Sequence, residues 1–320
     1  MAVSPTPERW EHVYFNATER SEIESLVFAA TREFYLSGWM PIFSLVIVLV
    51  GLVGNSMVLW LLGFCIPRNP FSVYILNLAG ADVLFLSCSF LISIHEFVKY
   101  LSSAMYAVLI HLAYTSYSVG LSHLATISTE RCLAVFFHNW YLHRRPKNTS
   151  AAVCAVLWAL ASLFWVADSA PCIYVTSQVF RGAISRIPVV WLIHFTPVLC
   201  ASSLTLLLRV QCSSQHQQPP RLCLLVLLMV LVFLLCGLPM TIQGVIWHFS
   251  LDFMPYWLTT LLACLKSSAY PIIYFLLGRR SHRRGREPLR VVLQRALADE
   301  QELEGGRRDS HLTNTRETSF

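Results

Sequence analysis

The chain has 320 residues, of which 55% are hydrophobic and only 13% are charged. A soluble globular protein carries about 25% charged residues, so ordinary soluble domains are excluded, as is disorder over most of the length. The ten cysteines are spread along the chain, which argues against a disulfide scaffold. The net charge of +6 could suit nucleic acid, but the basic residues cluster beside apolar segments. That placement indicates membrane topology instead, and no nucleic-acid partner is expected.

Seven segments are apolar enough to cross a bilayer as helices, which requires about 20 residues each. The predicted spans are 39–63, 71–95, 104–136, 150–172, 188–210, 221–247 and 255–278. A soluble helical core is a poor alternative because these segments lack a polar face, and the period of two that β-barrel strands require is missing. The predicted fold class is an all-α membrane protein, a seven-transmembrane helix bundle with a short amphipathic cytoplasmic helix.

The flanking charges predict the orientation of the bundle. Basic residues follow the last span and also separate spans three and four, which places them on the same side: Arg279, Arg280, Arg283, Arg284, Arg286, Arg290, Arg295, Arg144, Arg145 and Lys147. The positive-inside rule makes that side cytoplasmic. The tail 279–320 is then cytoplasmic and the acidic tail 1–38 extracellular, in a multi-pass plasma-membrane protein. The N-terminal tail carries Asn16-Ala17-Thr18, an N-glycosylation acceptor that agrees with this orientation.

The C-terminal tail contains one more periodic segment. Apolar residues recur at i, i+3, i+4, i+7 and i+8: Leu289, Val292, Leu293, Ala296 and Leu297. This spacing predicts an amphipathic helix at about 286–298, lying on the inner membrane surface, with a frayed basic tail as the alternative. The last residues, Thr318-Ser319-Phe320, could add as a strand to a PDZ domain, although short tails often match by chance.

Two charged residues fall near the middle of the apolar spans, where charge is costly and indicates function. Asp82 lies about 11 residues into span two from its cytoplasmic end, and Lys266 about 12 residues into span seven, so both lie ~17–18 Å deep. We expect them to pair across the core of the bundle, because neither can remain ionised alone there. The alternatives are that Lys266 extends toward the interface or is neutral.

Other candidates lie near the ends of the spans. Glu130 and Arg131 sit at the inner end of span three, where they could simply be solvated. Asp168 lies near the outer end of span four and could attract a cationic ligand group. The outer mouth offers five aromatic residues, which are either ligand contacts or an interfacial anchoring belt. These are Tyr114, Tyr117, Trp247, Tyr256 and Trp257. No spacing of Ser, His, Cys or carboxylate residues supports a catalytic triad, metal site or cofactor site, so no enzyme and no cofactor is expected.

Several of these residues resemble the rhodopsin-like G-protein-coupled receptors in order and spacing over about residues 39–298. The matching positions are Gly54-Asn55, Leu78-Ala79-Gly80-Ala81-Asp82, Trp158, Pro239 and Pro271-Ile272-Ile273-Tyr274. The chain is more narrowly similar to the Mas-related receptors, near the branch of types E, G or H. That likeness rests on Glu130-Arg131-Cys132, on Cys236 to Pro239 with Gly237 where most relatives have Trp, on Asn69-Pro70-Phe71-Ser72 and on Val292 to Leu297.

The resemblance implies a receptor that signals to heterotrimeric G proteins, with arrestin as a further partner and membrane lipid around it. Arg131 would face the G protein when helix six swings outward, and Glu130 would restrain it beforehand. Tyr274 would help helix seven to rearrange, and Pro239 and Pro271 would permit the movement. Asp168 matches the acid with which peptide-sensing Mas-related receptors bind basic ligands, so a peptide or a cationic small molecule is the expected ligand.

The chain departs from the family pattern in ways that keep two alternatives open. The common disulfide from helix three cannot form, because Tyr106 stands there and residues 173–187 contain no Cys. Cys172 fits half of another pattern but lacks a partner before residue 200. In the family, polar residues beside the acid of helix two bind a sodium ion. Here Gly120, Lys266 and Tyr270 stand at those positions instead. One alternative is a transporter, although internal repeats are not evident. The other alternative is a receptor-shaped protein that signals weakly itself and modifies partners in the membrane.

Overall fold

A computed structural model describes residues 42–67, 69–137, 146, 148–169, 187–213, 221–246, 254–279 and 288–297. The chain divides into two units, Met1–Val46 and Ile47–Phe320. Within the first unit the described residues are 42–46, which form the beginning of a helix. The second unit contains the remaining described helices, and the contacts below all lie within it.

The described residues form eight helices and no strand. They are α1 (Ile42–Cys65), α2 (Pro70–Val98), α3 (Ser103–Phe136), α4 (Thr149–Ser169), α5 (Ile187–Ser213), α6 (Arg221–Ile246), α7 (Tyr256–Arg279) and α8 (Leu289–Leu297). Six of them are long and apolar enough to cross a membrane, and α4 is a further apolar helix. The predicted all-α seven-helix bundle is confirmed, and the helix boundaries fall within about three residues of the predicted spans.

The beginnings of α2 and α3 are fixed by side chains that satisfy free backbone amides. Asn69 accepts a hydrogen bond from the Ser72 amide at 2.6 Å, and the Ser72 hydroxyl accepts one from the Asn69 amide at 2.9 Å. This capping box, with Pro70 at the first helical position, defines where α2 begins. Ser102 caps α3 in the simpler way, by accepting from the Met105 amide at 3.3 Å.

Helix α3 runs through the centre of the bundle and packs against α2, α4, α5 and α6. Small residues allow this close packing, since Ser118, Gly120 and Ser122 on α3 are all buried. The ends of the bundle are named here by their residues. The end at which α3 finishes and α2, α4 and α6 begin is called the Arg131 end, and the other is called the Asp168 end.

Helix α6 is interrupted in its middle by one turn of π-helix, Phe233–Gly237, in which the Leu238 amide bonds the Phe233 carbonyl. Pro239 lies two residues after this turn and has no amide to donate, so regular α-helical hydrogen bonding cannot continue through this region. The sequence predicted a kink-forming proline here. The π turn that precedes it comes only from the structure.

Helix α8 occurs within the predicted range, and the structure shows what its apolar face packs against. Four of its side chains are only 0–2% exposed, because they pack on protein: Val292, Leu293, Ala296 and Leu297. Helix α8 contacts α7 and α6. The bundle therefore covers most of the apolar face of α8, a packing that the residue period alone did not predict.

Candidate functional site

The two charges of the transmembrane core lie next to each other. Lys266 Nζ on α7 is 3.3 Å from Asp82 Oδ1 on α2, and each side chain is 2% exposed. The Ser267 hydroxyl donates a hydrogen bond to the same carboxylate oxygen at 2.6 Å. This carboxylate is thus bound by an ammonium group and a hydroxyl group from successive residues of one helix, which is how a buried charge is tolerated in a protein interior.

The ammonium group of Lys266 also lies against aromatic rings. Its Nζ is 5.0 Å from the ring centroid of Tyr117 and 5.4 Å from that of Tyr270, both within the range of a cation–π contact. A Cβ atom at Gly120 would lie 3.9 Å from Nζ. The position of a free sodium ion beside Asp82 is thus taken by the lysine, so these residues do not fit a bound sodium.

Tyr117 connects this charged core to α6. Its hydroxyl donates to the Gly237 carbonyl at 2.6 Å and lies 2.9 Å from the Thr241 hydroxyl. A Cβ at Gly237 would lie 3.2 Å from Cδ of Lys266, so the missing side chain makes room for the lysine stem. The sequence suggested a place for Tyr117 at the outer mouth. In the structure Tyr117 lies deeper, buried beside Lys266 at the π turn of α6.

A second junction joins α1 to α7 at Pro271. Proline has no amide, so the carbonyl four residues earlier, that of Ser267, lacks its usual helical donor. The side-chain amide of Asn55 supplies that donor at 2.9 Å and also bonds the Gly51 carbonyl at 2.9 Å. A Cβ at Gly54 would lie only 3.0 Å from the Pro271 ring, so glycine is what allows the two helices to approach.

The Arg131 end contains the predicted charged motif, and both charges contact α2. The Tyr74 hydroxyl donates to Glu130 Oε1 at 3.1 Å. The guanidinium carbon of Arg131 lies 4.7 Å from the ring centroid of Phe71, and Arg131 is only 4% exposed. A burial this deep contradicts the alternative that Arg131 is simply solvated, since an arginine in water would not be covered in this way.

The third residue of the motif binds the neighbouring helix. The Cys132 thiol donates to the Ser202 carbonyl of α5 at 3.0 Å. One turn earlier, Ser128 Oγ lies 2.9 Å from Ser202 Oγ and 3.1 Å from Ser203 Oγ. Residues 130–132 therefore attach α3 to α2 on one side and to α5 on the other.

The remaining predicted residues are distributed unevenly. Tyr274 is buried at the Arg131 end of α7, and Pro239 follows the π turn of α6. Tyr114 and Tyr256 are half-buried and Trp257 is 40% exposed, nearer the Asp168 end. Asp168 lies on the last turn of α4, but its side chain is outside the described residues. Trp247, Asn16 and Cys172 are also outside them.

Comparison with known proteins supports one family. A model of the seven-transmembrane receptors of the rhodopsin family matches residues 54–274. Mas-related G-protein coupled receptor member X2 of Pongo pygmaeus is 43% identical, over 83% of this chain and 85% of its own length. Member X1 of Homo sapiens is 42% identical, over 83% and 85%. Member E of Mus musculus is 42% identical, over 81% and 86%. The chain belongs to the Mas-related G-protein coupled receptors.

This membership makes the chain a multi-pass plasma-membrane receptor, a class whose partners are heterotrimeric G proteins. The transporter alternative is therefore wrong, and the family is one of receptors rather than enzymes. Identity to types X1, X2 and E is nearly equal among these relatives, so it does not single out the branch within the Mas-related receptors.

Three contact residues of this Mas-related receptor were not predicted as such from the sequence. Phe71 was noted only as part of a family motif, yet its ring covers Arg131. Tyr74 was not singled out, although it binds Glu130. Asn77, whose side-chain oxygen accepts from Trp158 Nε1 at 3.2 Å, was missed as well. The available signal was helical spacing: Phe71, Tyr74 and Asn77 lie three residues apart, and so line one side of α2.

Proposed function

We propose that this receptor transmits an extracellular stimulus to a heterotrimeric G protein through the contacts of its charged core. In this proposal the Arg131 end is cytoplasmic. Arg131 binds the G protein after α6 moves outward, and Glu130 restrains it in the resting state. Pro239 and Pro271 weaken α6 and α7 where they must bend, and Tyr274 moves with α7. An agonist acts only by binding the active arrangement more tightly than the resting one.

The observation that carries the proposal is the continuous set of contacts from α2 through α7 and α3 to α6. Asp82 binds Lys266 at 3.3 Å, and Lys266 Nζ lies 5.0 Å from the Tyr117 ring centroid. Tyr117 in turn bonds the Gly237 carbonyl at 2.6 Å, inside the π turn of α6. A movement of α6 must break or remake the Tyr117 hydrogen bonds. The charged core and the position of α6 are therefore energetically coupled.

The core also has unused polar atoms for a second arrangement. Asp82 Oδ2 and the Tyr270 hydroxyl are buried and have no hydrogen-bond partner among the described residues. Buried polar atoms are normally satisfied, and those that are not are costly. A rearrangement that pairs either atom would recover part of that cost. In the proposal, the active arrangement pairs one of these atoms.

The ligand in this proposal enters at the Asp168 end. Its candidate contacts are Asp168, Tyr114, Tyr256, Trp247 and Trp257, with Tyr117 at the bottom. A carboxylate together with aromatic residues suits a cationic group on a peptide or small molecule.

Further partners belong to the proposed cytoplasmic tail and the surrounding membrane. Arrestin would bind the same end as the G protein, and Thr318-Ser319-Phe320 would extend a PDZ sheet as an added strand. Lipid surrounds the exposed apolar side chains of the spans. Asn16 carries a glycan if the N-terminus is outside.

The deciding experiment measures agonist-independent nucleotide exchange, across all G-protein classes, in cells with matched surface expression. The variants are wild type, Arg131→Ala and Lys266→Asn, with Lys99→Gln as the control, which removes a positive charge at the other end. We expect Arg131→Ala to abolish the basal signal, Lys266→Asn to change it and Lys99→Gln to leave it unchanged.

Equal signal in wild type and Arg131→Ala would contradict the proposal. Persistent silence in every variant, even after ligand screening, would favour the alternative of a receptor-shaped protein that modifies membrane partners.

A further inference from the structure

Helix α8 is docked on the bundle by most of its apolar residues. Val292, Leu293, Ala296 and Leu297 are each no more than 2% exposed, whereas Leu289 on the same helix is 45% exposed. Leu293 and Leu297 belong to the same apolar core cluster as residues of the transmembrane helices. A nine-residue helix is only marginally stable in water, so this docking supports its helical form.

Two contacts fix where α8 lies. The side-chain amide of Asn69, at the beginning of α2, donates to the Leu297 carbonyl at 3.2 Å. Near the end of α7, a Cβ at Gly278 would collide with the backbone carbonyl of Val292, so the two backbones are in direct contact there. Helix α8 also packs against the first part of α6, Arg221–Val232. It therefore touches α2, α6 and α7, all at the Arg131 end.

This position is next to the residues that the coupling proposal uses. Asn69 binds α8, and Phe71, two residues later on α2, covers the guanidinium group of Arg131. Helix α6 must move outward for coupling. Its first part, which lies at the Arg131 end, packs against α8. A protein that inserts between α2, α6 and α7 to reach Arg131 would meet α8 first.

From these contacts we infer that α8 is an autoinhibitory segment, occupying in the resting receptor the surface on which the G protein docks. This inference rests on the proposed coupling function and deepens it. Release of α8 frees α6 and opens the path to Arg131. A segment joined to α7 by the short connection 280–288 rebinds at a high effective concentration, so it competes well even though its own affinity is modest.

Two point variants release α8 by different means. Leu293→Glu places a carboxylate in the buried face, which α8 can solvate only by leaving the bundle. Gly278→Ala pushes a methyl group against the Val292 carbonyl. Each has a matched control: Leu289→Glu adds the same charge at the exposed position, and Gly63→Ala adds the same methyl group where nothing lies within 4 Å. Two truncated chains complete the set. The chain that ends after residue 287 lacks α8, and the chain that ends after residue 298 keeps it.

The first readout is basal nucleotide exchange on G protein by the full-length receptor in membranes at matched surface expression. We expect Leu293→Glu, Gly278→Ala and the chain ending at 287 to raise it by roughly five-fold or more, as a population shift of this kind would. The two controls and the chain ending at 298 should match wild type. Adding Arg131→Ala should remove the gain. A synthetic peptide of residues 286–298 should restore low exchange in the chain ending at 287, and its Leu293→Glu form should not.

The second readout is hydrogen–deuterium exchange of purified full-length receptor, which tests docking without a G protein. The amides of residues 290–297 should be protected in wild type and in Leu289→Glu, and exposed in Leu293→Glu. Unprotected amides in wild type would overturn the inference, as would Arg131-dependent signalling that is equal with and without α8. Absence of exchange on G protein in every variant, released α8 included, would overturn the coupling function itself and the inference with it.

Discussion

Lys266 and Asp82 show how this receptor accommodates charge in its core. Transfer of a single ionised side chain from water to a protein interior costs several kcal/mol, so neither charge is stable there without the other. The distance of 3.3 Å, together with the hydroxyl of Ser267 on the same oxygen, provides the compensation. The pair therefore offsets part of this cost while it is intact, and removal of one member leaves the other as an uncompensated buried charge.

Replacing Lys266 by Met should expose that asymmetry. Lys266→Met keeps the length of the side chain but leaves Asp82 unpaired, so we expect a loss of about 3–5 kcal/mol in stability. The double variant Lys266→Met/Asp82→Asn should recover most of it. Thermal unfolding of the purified receptor is the measurement. A double variant no more stable than Lys266→Met would show that the pair is not the source of the loss.

Lys266 should also determine whether sodium changes the thermal stability of the receptor. Because the ammonium group occupies the place beside Asp82, exchanging sodium chloride for potassium chloride should not change the melting temperature of wild type. In Lys266→Asn, an amide replaces the ammonium group and leaves Asp82 as a carboxylate with a vacant side. A sodium-specific rise in melting temperature is expected there, and a sodium effect in wild type would contradict the prediction.

At the scale of the helix, α6 depends on the absence of a side chain at Gly237. A Cβ there would meet the Phe233 ring at 2.6 Å and the Lys266 stem at 3.2 Å, and the ring lies within the π turn that a methyl group would disturb. We expect Gly237→Ala to destabilise the receptor by about 1–3 kcal/mol, as overpacking of a core does. Gly63→Ala is the control in the same thermal assay and should be neutral or slightly stabilising. Equal stability of the two variants would show that the side chains around Gly237 move aside for a methyl group without a cost in stability.

The hydrogen bond from Tyr117 to α6 gives a second prediction at this scale. Tyr117→Phe keeps the ring beside Lys266 but leaves the Gly237 carbonyl and the Thr241 hydroxyl without this partner. A loss of about 1–3 kcal/mol is expected from the unsatisfied groups. Basal nucleotide exchange should rise, because one restraint on α6 is gone. If Tyr117→Phe is as stable as wild type and its basal nucleotide exchange is unchanged, Tyr117 does not couple the charged core to α6.

For the whole molecule, the proposed orientation can be tested with two glycosylation motifs, one in the N-terminal tail and one at the Arg131 end. Asn16-Ala17-Thr18 precedes α1, whereas Asn148-Thr149-Ser150 lies at the beginning of α4, at the Arg131 end. Enzymatic deglycosylation of the expressed receptor should shift its mass, and Asn16→Gln should abolish the shift. Asn148→Gln should have no effect. The opposite pattern would place the Arg131 end outside.

The hydrophobic pattern of the sequence determined the bundle itself. A membrane span requires about 20 apolar residues and internal hydrogen bonding, so composition and length alone define the seven helices and nearly all of their ends. Asp82 and Lys266 stood out for the same reason, because charge is rare in such segments. Their equal depth follows from the rise per residue, which is why the pairing could be predicted.

Only the tertiary structure decided which side chains meet across helices. These contacts depend on how each helix is rotated and on close approach at glycines. They include Phe71 over Arg131, the Asn55 amide on the carbonyl that Pro271 leaves free, and Tyr117 on the π turn of α6. The apolar face of α8 is the clearest case. Its period of 3.6 residues requires some apolar neighbour, but lipid and protein satisfy that requirement equally, and the contact with α2, α6 and α7 had to come from the packed structure.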